Sequence, residues 1–287
     1  MKARLISGSL VLAAIAAGTF AEAPRANPPL VIGGYQVLAG DFHVHMHPLS
    51  WAALTPWDTV LETRRQRLDV VAMAGQNNVW TGKVARWFSR RIGGPTVLVS
   101  QEVHTPRYHM IAAGIESTID WRRTAAQAID EIHQQGGVAI AAHPTIEYWP
   151  GWDDAAMRTL DAAEIVHPLI YSQPERYPQL QEFYRRKKLT AIGSSDYHGL
   201  GYPGVCRTYV FARENSEQGI LEALRAGRTA VYDREGRAYG DPELIRLASE
   251  TGSLPRPEAP PATTMLGLFS RIAGALGLLG LILVGFK

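Results

Sequence analysis

The sequence predicts an α/β fold whose strands close into a barrel, and three observations lead there. Short, nearly continuous apolar runs recur along the chain, as strands buried on both faces do. Between them lie segments with apolar residues at helical spacing, so strand–helix units repeat and imply parallel crossovers. Histidines and acids fall at the C-terminal ends of the runs, where a parallel barrel gathers its polar groups.

The first strand, Tyr35-Gln36-Val37-Leu38-Ala39-Gly40, runs into Asp41-Phe42-His43-Val44-His45 and the turn-prone His47-Pro48. Imidazoles at i and i+2 on a strand share a face, so His43 and His45 aim at one point. A helix over 57–68 presents Trp57, Val60, Leu61 and Leu68. Strands follow at 69–74, at 96–100 (ending at Glu102) and at 109–114, which begins with His109. A helix over 121–135 presents Ala125, Ala128, Ile129 and Ile132, and Gly136-Gly137 ends it. The strand at 138–142 stops at His143-Pro144, and that at 162–166 stops at His167-Pro168. A helix over 179–188 leads to Thr190-Ala191-Ile192-Gly193 and then Ser194-Ser195-Asp196-Tyr197-His198. A strand at 207–212, a helix at 217–226 and a strand at 228–232 close the series.

With 287 residues and 46% hydrophobic content, the chain can bury one large core, placed at 29–247. Net charge is only +2 and no basic stripe stands out, so nucleic acid is not an expected partner; a small-molecule substrate is. The lone Cys206 excludes an internal disulfide framework and a Cys-rich zinc site. Any metal must be held by carboxylates and the nine histidines. No Gly-x-Gly-x-x-Gly or P-loop follows a strand, which removes the main nucleotide-binding signatures.

Both ends point to a membrane. Lys2 and Arg4 precede an apolar stretch at 5–17, and Ala21-Glu22-Ala23 offers a cleavage site, the layout of a signal peptide at 1–23. An uncleaved N-terminal anchor is the alternative. The Pro-rich segment at 248–264, with Pro255-Arg256-Pro257-Glu258-Ala259-Pro260-Pro261, reads as an extended linker. It leads to an anchoring helix at 265–286, apolar apart from Ser270 and Arg271. That helix spans the bilayer if Arg271 snorkels, or lies at its interface. The folded part is therefore expected across the membrane, in the periplasm or cell envelope, and tethered.

His43, His45, Glu102, His143, Asp196 and His198 occupy corresponding strand ends, too many for coincidence. In Asp196-Tyr197-His198 a carboxylate can ligate or accept a proton while the imidazole works beside it. The other groups read differently: His133 as the last turn of a helix, His167 as a residue that could line the site, and Arg90 and Arg91 as surface charges. The aromatics Trp51, Trp57, Trp80, Tyr148, Trp149 and Trp152 fall mainly in loops and serve as core or pocket wall.

Taken as an ordered set, these motifs resemble the PHP (polymerase and histidinol phosphatase) superfamily of metal-dependent hydrolases. The carriers are Asp41-Phe42-His43-Val44-His45, Glu102 with His109, Ala142-His143-Pro144 and Ser195-Asp196-Tyr197-His198. The run Arg207-Thr208-Tyr209-Val210-Phe211-Ala212, with Ile220 to Thr229 after it, is similar to the CehA/McbA-type branch. The resemblance implies a distorted (β/α)7 barrel of the PHP type. It implies that His43, His45, Glu102 and Asp196 bind one ion, that Glu102 bridges to a second held by His109 and His143, and that His198 serves a third ion or the substrate. Two departures matter: Gly75-Gln76 stands where the family has Asp-His, and Met46-His47-Pro48-Leu49-Ser50-Trp51 stands where it tends to have Ser-Asp. Both missing groups belong to the third position, so the expected cofactors are two divalent ions (zinc, manganese or iron). His47 and His104 read as loop residues, the candidates to compensate.

A water shared by two ions loses its proton near neutral pH, so a metal-bridged hydroxide is the expected nucleophile. Asp196 is the natural base, and His198 would hydrogen-bond the substrate or protonate the leaving group. Phosphoester hydrolysis is the leading expectation. The alternatives are ester, amide or carbamate hydrolysis, a degenerate protein that binds metal or ligand without turnover, and an envelope scaffold that recruits a partner.

Overall fold

The computed structural model describes residues 2–21, 27–252, 254–259 and 262–285. Glu22 and Ala23 of the expected cleavage site, Pro260-Pro261 of the linker and Phe286 at the end of the tail lie outside the described residues. The chain is mixed α/β. Its elements run α1 (Lys2–Ala21), β1 (Val31–Ile32), β2 (Tyr35–Val44), α2 (Pro56–Arg65), β3 (Val70–Gln76), α3 (Trp80–Ile92), β4 (Thr96–His104), β5 (His109–Ala113), α4 (Ala125–Gln134) and β6 (Val138–Ala141). They continue with α5 (Asp154–Thr159), β7 (Ala162–Val166), α6 (Leu169–Ser172), α7 (Tyr177–Arg185), β8 (Thr190–Gly193), β9 (Thr208–Ala212), α8 (Glu217–Arg225), β10 (Thr229–Tyr232), β11 (Ala238–Gly240), α9 (Pro242–Thr251) and α10 (Met265–Gly285).

Among the described residues the strands form one sheet in the order β11-β10-β9-β2-β3-β4-β5-β6-β7-β8, with β1 on β2. The sheet curls into a nearly closed barrel, and threonine hydroxyls bridge the gap. Thr208 Oγ1 accepts from Gly193 N (2.8 Å) and donates to Gly193 O (2.9 Å), while Thr229 Oγ1 donates to Ala191 O (2.8 Å). Alternate residues of β3 divide between two cores: Val70, Ala72 and Ala74 pack with Leu38, Phe42 and Leu98, whereas Val71 and Met73 pack with Val60, Leu61 and Phe88. Period-two alternation thus builds the barrel interior from one strand face and the helix layer from the other.

The strands are not all parallel. β5 pairs antiparallel with β4 and β6, and β9 pairs antiparallel with β2. The β4–β5 hairpin explains how His109 joins groups at the opposite end of their strands. It begins β5, and antiparallel pairing sets it directly across from His104 at the end of β4. The first residue of an antiparallel strand lies at the same barrel face as the last residue of its neighbour.

Local chemistry sets the helix boundaries. Thr55 caps α2 by accepting from Asp58 N, with Pro56 at the first helical position. Thr124 and Gln127 form a reciprocal capping box, so α4 begins at Ala125, not at 121. α3 occupies a stretch without an expected element; its interior Gly82 is needed because a Cβ there would lie 2.9 Å from Met73 O on β3. α9 also was not expected, and it carries the chain through Leu247, where the folded unit was expected to end.

Candidate metal centre

The candidate ligands meet at one end of the barrel. His43 and His45 leave the end of β2 fully buried, with their Nε2 atoms 2.9 Å apart. Asp196 Oδ1 lies 3.2 Å from His43 Nε2 and 3.1 Å from His45 Nε2, and Glu102 Oε2 lies 3.5 Å from His45 Nε2. Asp196 Oδ1 is nevertheless buried without a hydrogen bond. Close approach without hydrogen-bond geometry is what side chains show when they converge on a shared centre and not on one another.

Glu102 links this group to the next. Its Oε1 lies 3.0 Å from His109 Nδ1 and 3.6 Å from His143 Nε2, and His109 Nδ1 also has no hydrogen-bond partner. The ligand atoms of His43, His45 and Asp196 lie within 4.8 Å of one another, as do those of His43, Glu102 and His143 and those of Glu102, His104 and His109. A set of imidazoles and carboxylates suits a zinc-, manganese- or iron-type cation.

Backbone and neighbours fix the aim. His143 (φ +28°) and Asp196 (φ +47°) hold left-handed conformations unusual for residues with a Cβ, a strain found at functional sites. Asp41, fully buried, accepts from Ser195 Oγ (2.5 Å), Ser195 N (3.1 Å), Gly204 N (2.6 Å) and His43 N (3.2 Å). The first acid of the Asp-x-His-x-His stretch therefore ties the Asp196 loop to β2 and does not point at the ligand cluster.

The sequence reading missed Glu164. This fully buried carboxylate accepts from His43 Nδ1 (2.9 Å) and from His143 N (2.6 Å), leaving His43 Nε2 as the lone-pair nitrogen. One signal for it stood in the sequence: a single Glu inside the apolar run Ala162-Ala163-Glu164-Ile165-Val166 has to be satisfied once buried. His167, also buried, accepts from Leu169 N at Nδ1 (3.2 Å) and turns Nε2 to within 3.8 Å of both Glu164 Oε2 and Asp196 Oδ2.

Charge in the cluster is lopsided. Burial disfavours the charged carboxylates, yet the imidazoles outweigh it: Glu164 falls to about 2, and Glu102 and Asp196 fall well below the usual range. Burial would lower His43, but Asp196, Glu164 and Glu102 raise it to about 10. Burial wins at His45 and His109, which drop below the ordinary imidazole value and offer neutral nitrogens. The three ionised carboxylates draw positive charge onto His43 and His143, and the same field would hold divalent cations.

Other expected groups fall elsewhere. His198 sits at the mouth, 40% exposed, donating from Nδ1 to Asp196 O (2.8 Å) with its ring centroid 4.1 Å from that of His45 and tilted against it; it joins none of the ligand groups. His104 belongs to one of them, whereas His47 does not. At the Gly75-Gln76 departure, a Cβ on Gly75 would lie 2.4 Å from Asn78 O, and Gln76 N donates to Ser50 Oγ (3.0 Å). Of the aromatics, Tyr148 reaches the site, 4.4 Å from the His109 ring, while Trp57 and Trp152 are core. Arg90 pairs with Glu217 and Arg91 lies over Trp87, both at the surface.

Comparison with known proteins agrees with this architecture. Residues 178–229, which carry Asp196 and His198, match the PHP-associated family model. The fold is shared with a two-domain Bacteroides vulgatus protein containing a predicted PHP-like metal-dependent phosphoesterase, at TM-score 0.63 and 24% identity over 79% of this chain and 74% of that one. A candidate metal-dependent phosphoesterase from Bifidobacterium adolescentis aligns at TM-score 0.44 and 19% identity, over 60% of this chain and 90% of that one. An amidohydrolase from Chromobacterium violaceum aligns at 0.45 and 15%, over 66% and 96%. No curated protein matches the chain. The chain thus shares the fold of that Bacteroides vulgatus protein and carries histidine–carboxylate clusters at one barrel end.

Proposed function

We propose that this chain is a PHP-superfamily metal-dependent hydrolase acting on phosphoesters. His43, His45, Glu102 and Asp196 hold one divalent ion, and Glu102, His109 and His143 hold a second. The observation that carries this reading is Asp196 Oδ1, within 3.2 Å of two buried imidazole nitrogens and without a hydrogen bond. When bound, two such cations supply an acidified water and offset the negative charge that develops on the substrate.

The chain's own groups do the rest. Glu164 holds the tautomer of His43 through Nδ1. Asp196, ionised and partly open to the mouth, receives the proton released as the attacking oxygen forms its bond. His198, pinned at Nδ1 by Asp196 O and 40% exposed at the mouth, keeps Nε2 to donate to substrate or to a leaving oxygen. Tyr148 walls the opening beside His109. The resemblance of 207–212 to the CehA/McbA-type branch makes carboxyl and carbamate esters the competing substrates.

The same reading places the folded unit outside the cytoplasm, with α10 as tether. Purified full-length protein, assayed with added manganese, zinc or iron on chromogenic phosphomonoester, phosphodiester, carboxyl-ester and carbamate substrates, tests the activity. Metal-dependent turnover of a phosphoester is expected, with Asp196→Asn lowering kcat by about 100-fold or more. Turnover of carboxyl or carbamate esters alone overturns the substrate class, and fewer than one ion per chain with no turnover overturns the enzyme.

A further inference from the structure

α2 begins beside the ends of the parallel strands and descends the barrel, and α10 packs against it in the opposite sense. Thr263 contacts Arg65, Arg271 Nη2 binds Glu62 (2.7 Å), Ser270 Oγ donates to Asp58 (2.8 Å), and a Cβ on Gly274 would lie 3.2 Å from Trp57. α10 therefore climbs toward the face that holds the metal cluster and continues in that direction past Trp57. α1 runs antiparallel beside it: Ser270 Oγ also donates to Ala14 O (2.8 Å), Gly277 and Gly280 abut Ser7, and Arg4 Nη2 donates to Val284 O (3.2 Å). From Gly274 to the end of α10 the pair reaches on by about 16 Å, at a rise of ~1.5 Å per residue.

Both helices are long and apolar enough to cross a bilayer, and most of their surface faces outward, as at Leu5, Leu12, Leu276 and Leu283. The barrel face itself is rimmed by exposed apolar side chains in the segments that follow strands: Leu49 (53%), Trp51 (91%) and Leu200 (93%) on loops, and Trp80 (49%) and Ile146 (57%) at the first turns of helices. Ala53 N donates to His198 O (2.8 Å), so the loop bearing Leu49 and Trp51 packs on the one bearing Leu200, at the mouth of the site. Large apolar side chains left bare around a polar cleft mark an interaction surface.

We propose that the paired terminal helices seat this face on a lipid bilayer, so that the metal cluster opens toward the membrane and its substrate is an amphiphile with a phosphoester headgroup. The substrate part rests on the hydrolase reading above; the orientation does not. α1 then stays in the mature chain as half of the helix pair, and is not removed with a leader.

Full-length protein is reconstituted in phosphatidylethanolamine–phosphatidylglycerol vesicles with an environment-sensitive fluorophore on Leu200→Cys or, as control, on Lys188→Cys at the opposite barrel end. Emission at position 200 should shift to the blue, rise about threefold and be quenched by nitroxide-labelled lipid chains, while position 188 reports water. Equal signals at both positions overturn the orientation whether or not the protein is active. Intact mass of the membrane-extracted chain should include α1, and its loss overturns the helix pair. With orientation established, a vesicle-borne phosphoester should be turned over faster than its soluble short-chain analogue; turnover of the soluble one alone overturns the substrate class.

Discussion

Two carboxylates on adjoining segments do opposite jobs at this site. Asp41 is saturated by four donors and supports the loop; Asp196 keeps an oxygen free of hydrogen bonds and faces the imidazoles. Asp41→Asn therefore leaves buried donors misdirected and should cost about 1–3 kcal/mol, read from denaturant midpoints at neutral pH. Glu164 works one step back, through His43 Nδ1 and His143 N. Glu164→Gln should weaken metal affinity about 10- to 100-fold with little change in far-ultraviolet circular dichroism, measured by competition against a chromogenic chelator. A variant that binds metal as tightly as the parent would remove Glu164 from this role. At this scale the sequence showed the groups that stand at strand ends, because position along a strand predicts place in a barrel. Glu164 and the free oxygen of Asp196 depend on contacts between distant elements, which spacing does not encode.

At the scale of elements, His133 on α4 binds Asp161 Oδ2 (2.8 Å), joining the helix to the residue before β7. The bond to Asp161 raises the His133 pKa above the ordinary value, with burial opposing it. A raised folded-state pKa means the pair's stabilisation is fully present below the unfolded imidazole value and is lost as pH rises through the folded one. His133→Ala should thus lower the melting temperature more at pH 5.5 than at pH 9; an equal loss at both would show that charge is not what holds the contact. Gly75 has no room for a side chain against Asn78, so Gly75→Asp should destabilise the fold by about 1–3 kcal/mol and not create a third metal position, seen as a lower melting temperature with unchanged ion count. Strand and helix identities were legible where the apolar period was strong. The antiparallel sense of β5 was not, since alternation reads the same in either direction, and α3 hid behind its interior glycine.

For the whole molecule, a polar seam joins the terminal helices to the barrel: Ser270 on Asp58 and Arg271 on Glu62. Glu62→Gln weakens a largely buried ion pair and should cost about 2 kcal/mol in detergent-solubilised full-length protein, read from thermal melts. No change would mean that the Arg271–Glu62 pair does not hold the helix pair to the barrel. The apolar ends were visible in the sequence, but their pairing was not, because it joins residues at opposite ends of the chain. The barrel brings together ligands scattered from His43 to Asp196, an assembly suited to hold two cations. Metal content of the full-length protein, saturated with manganese or zinc and then gel-filtered, tests that most directly. Two ions per chain are expected, falling to one in His109→Ala; a parent protein that retains none would contradict the two-cation assembly.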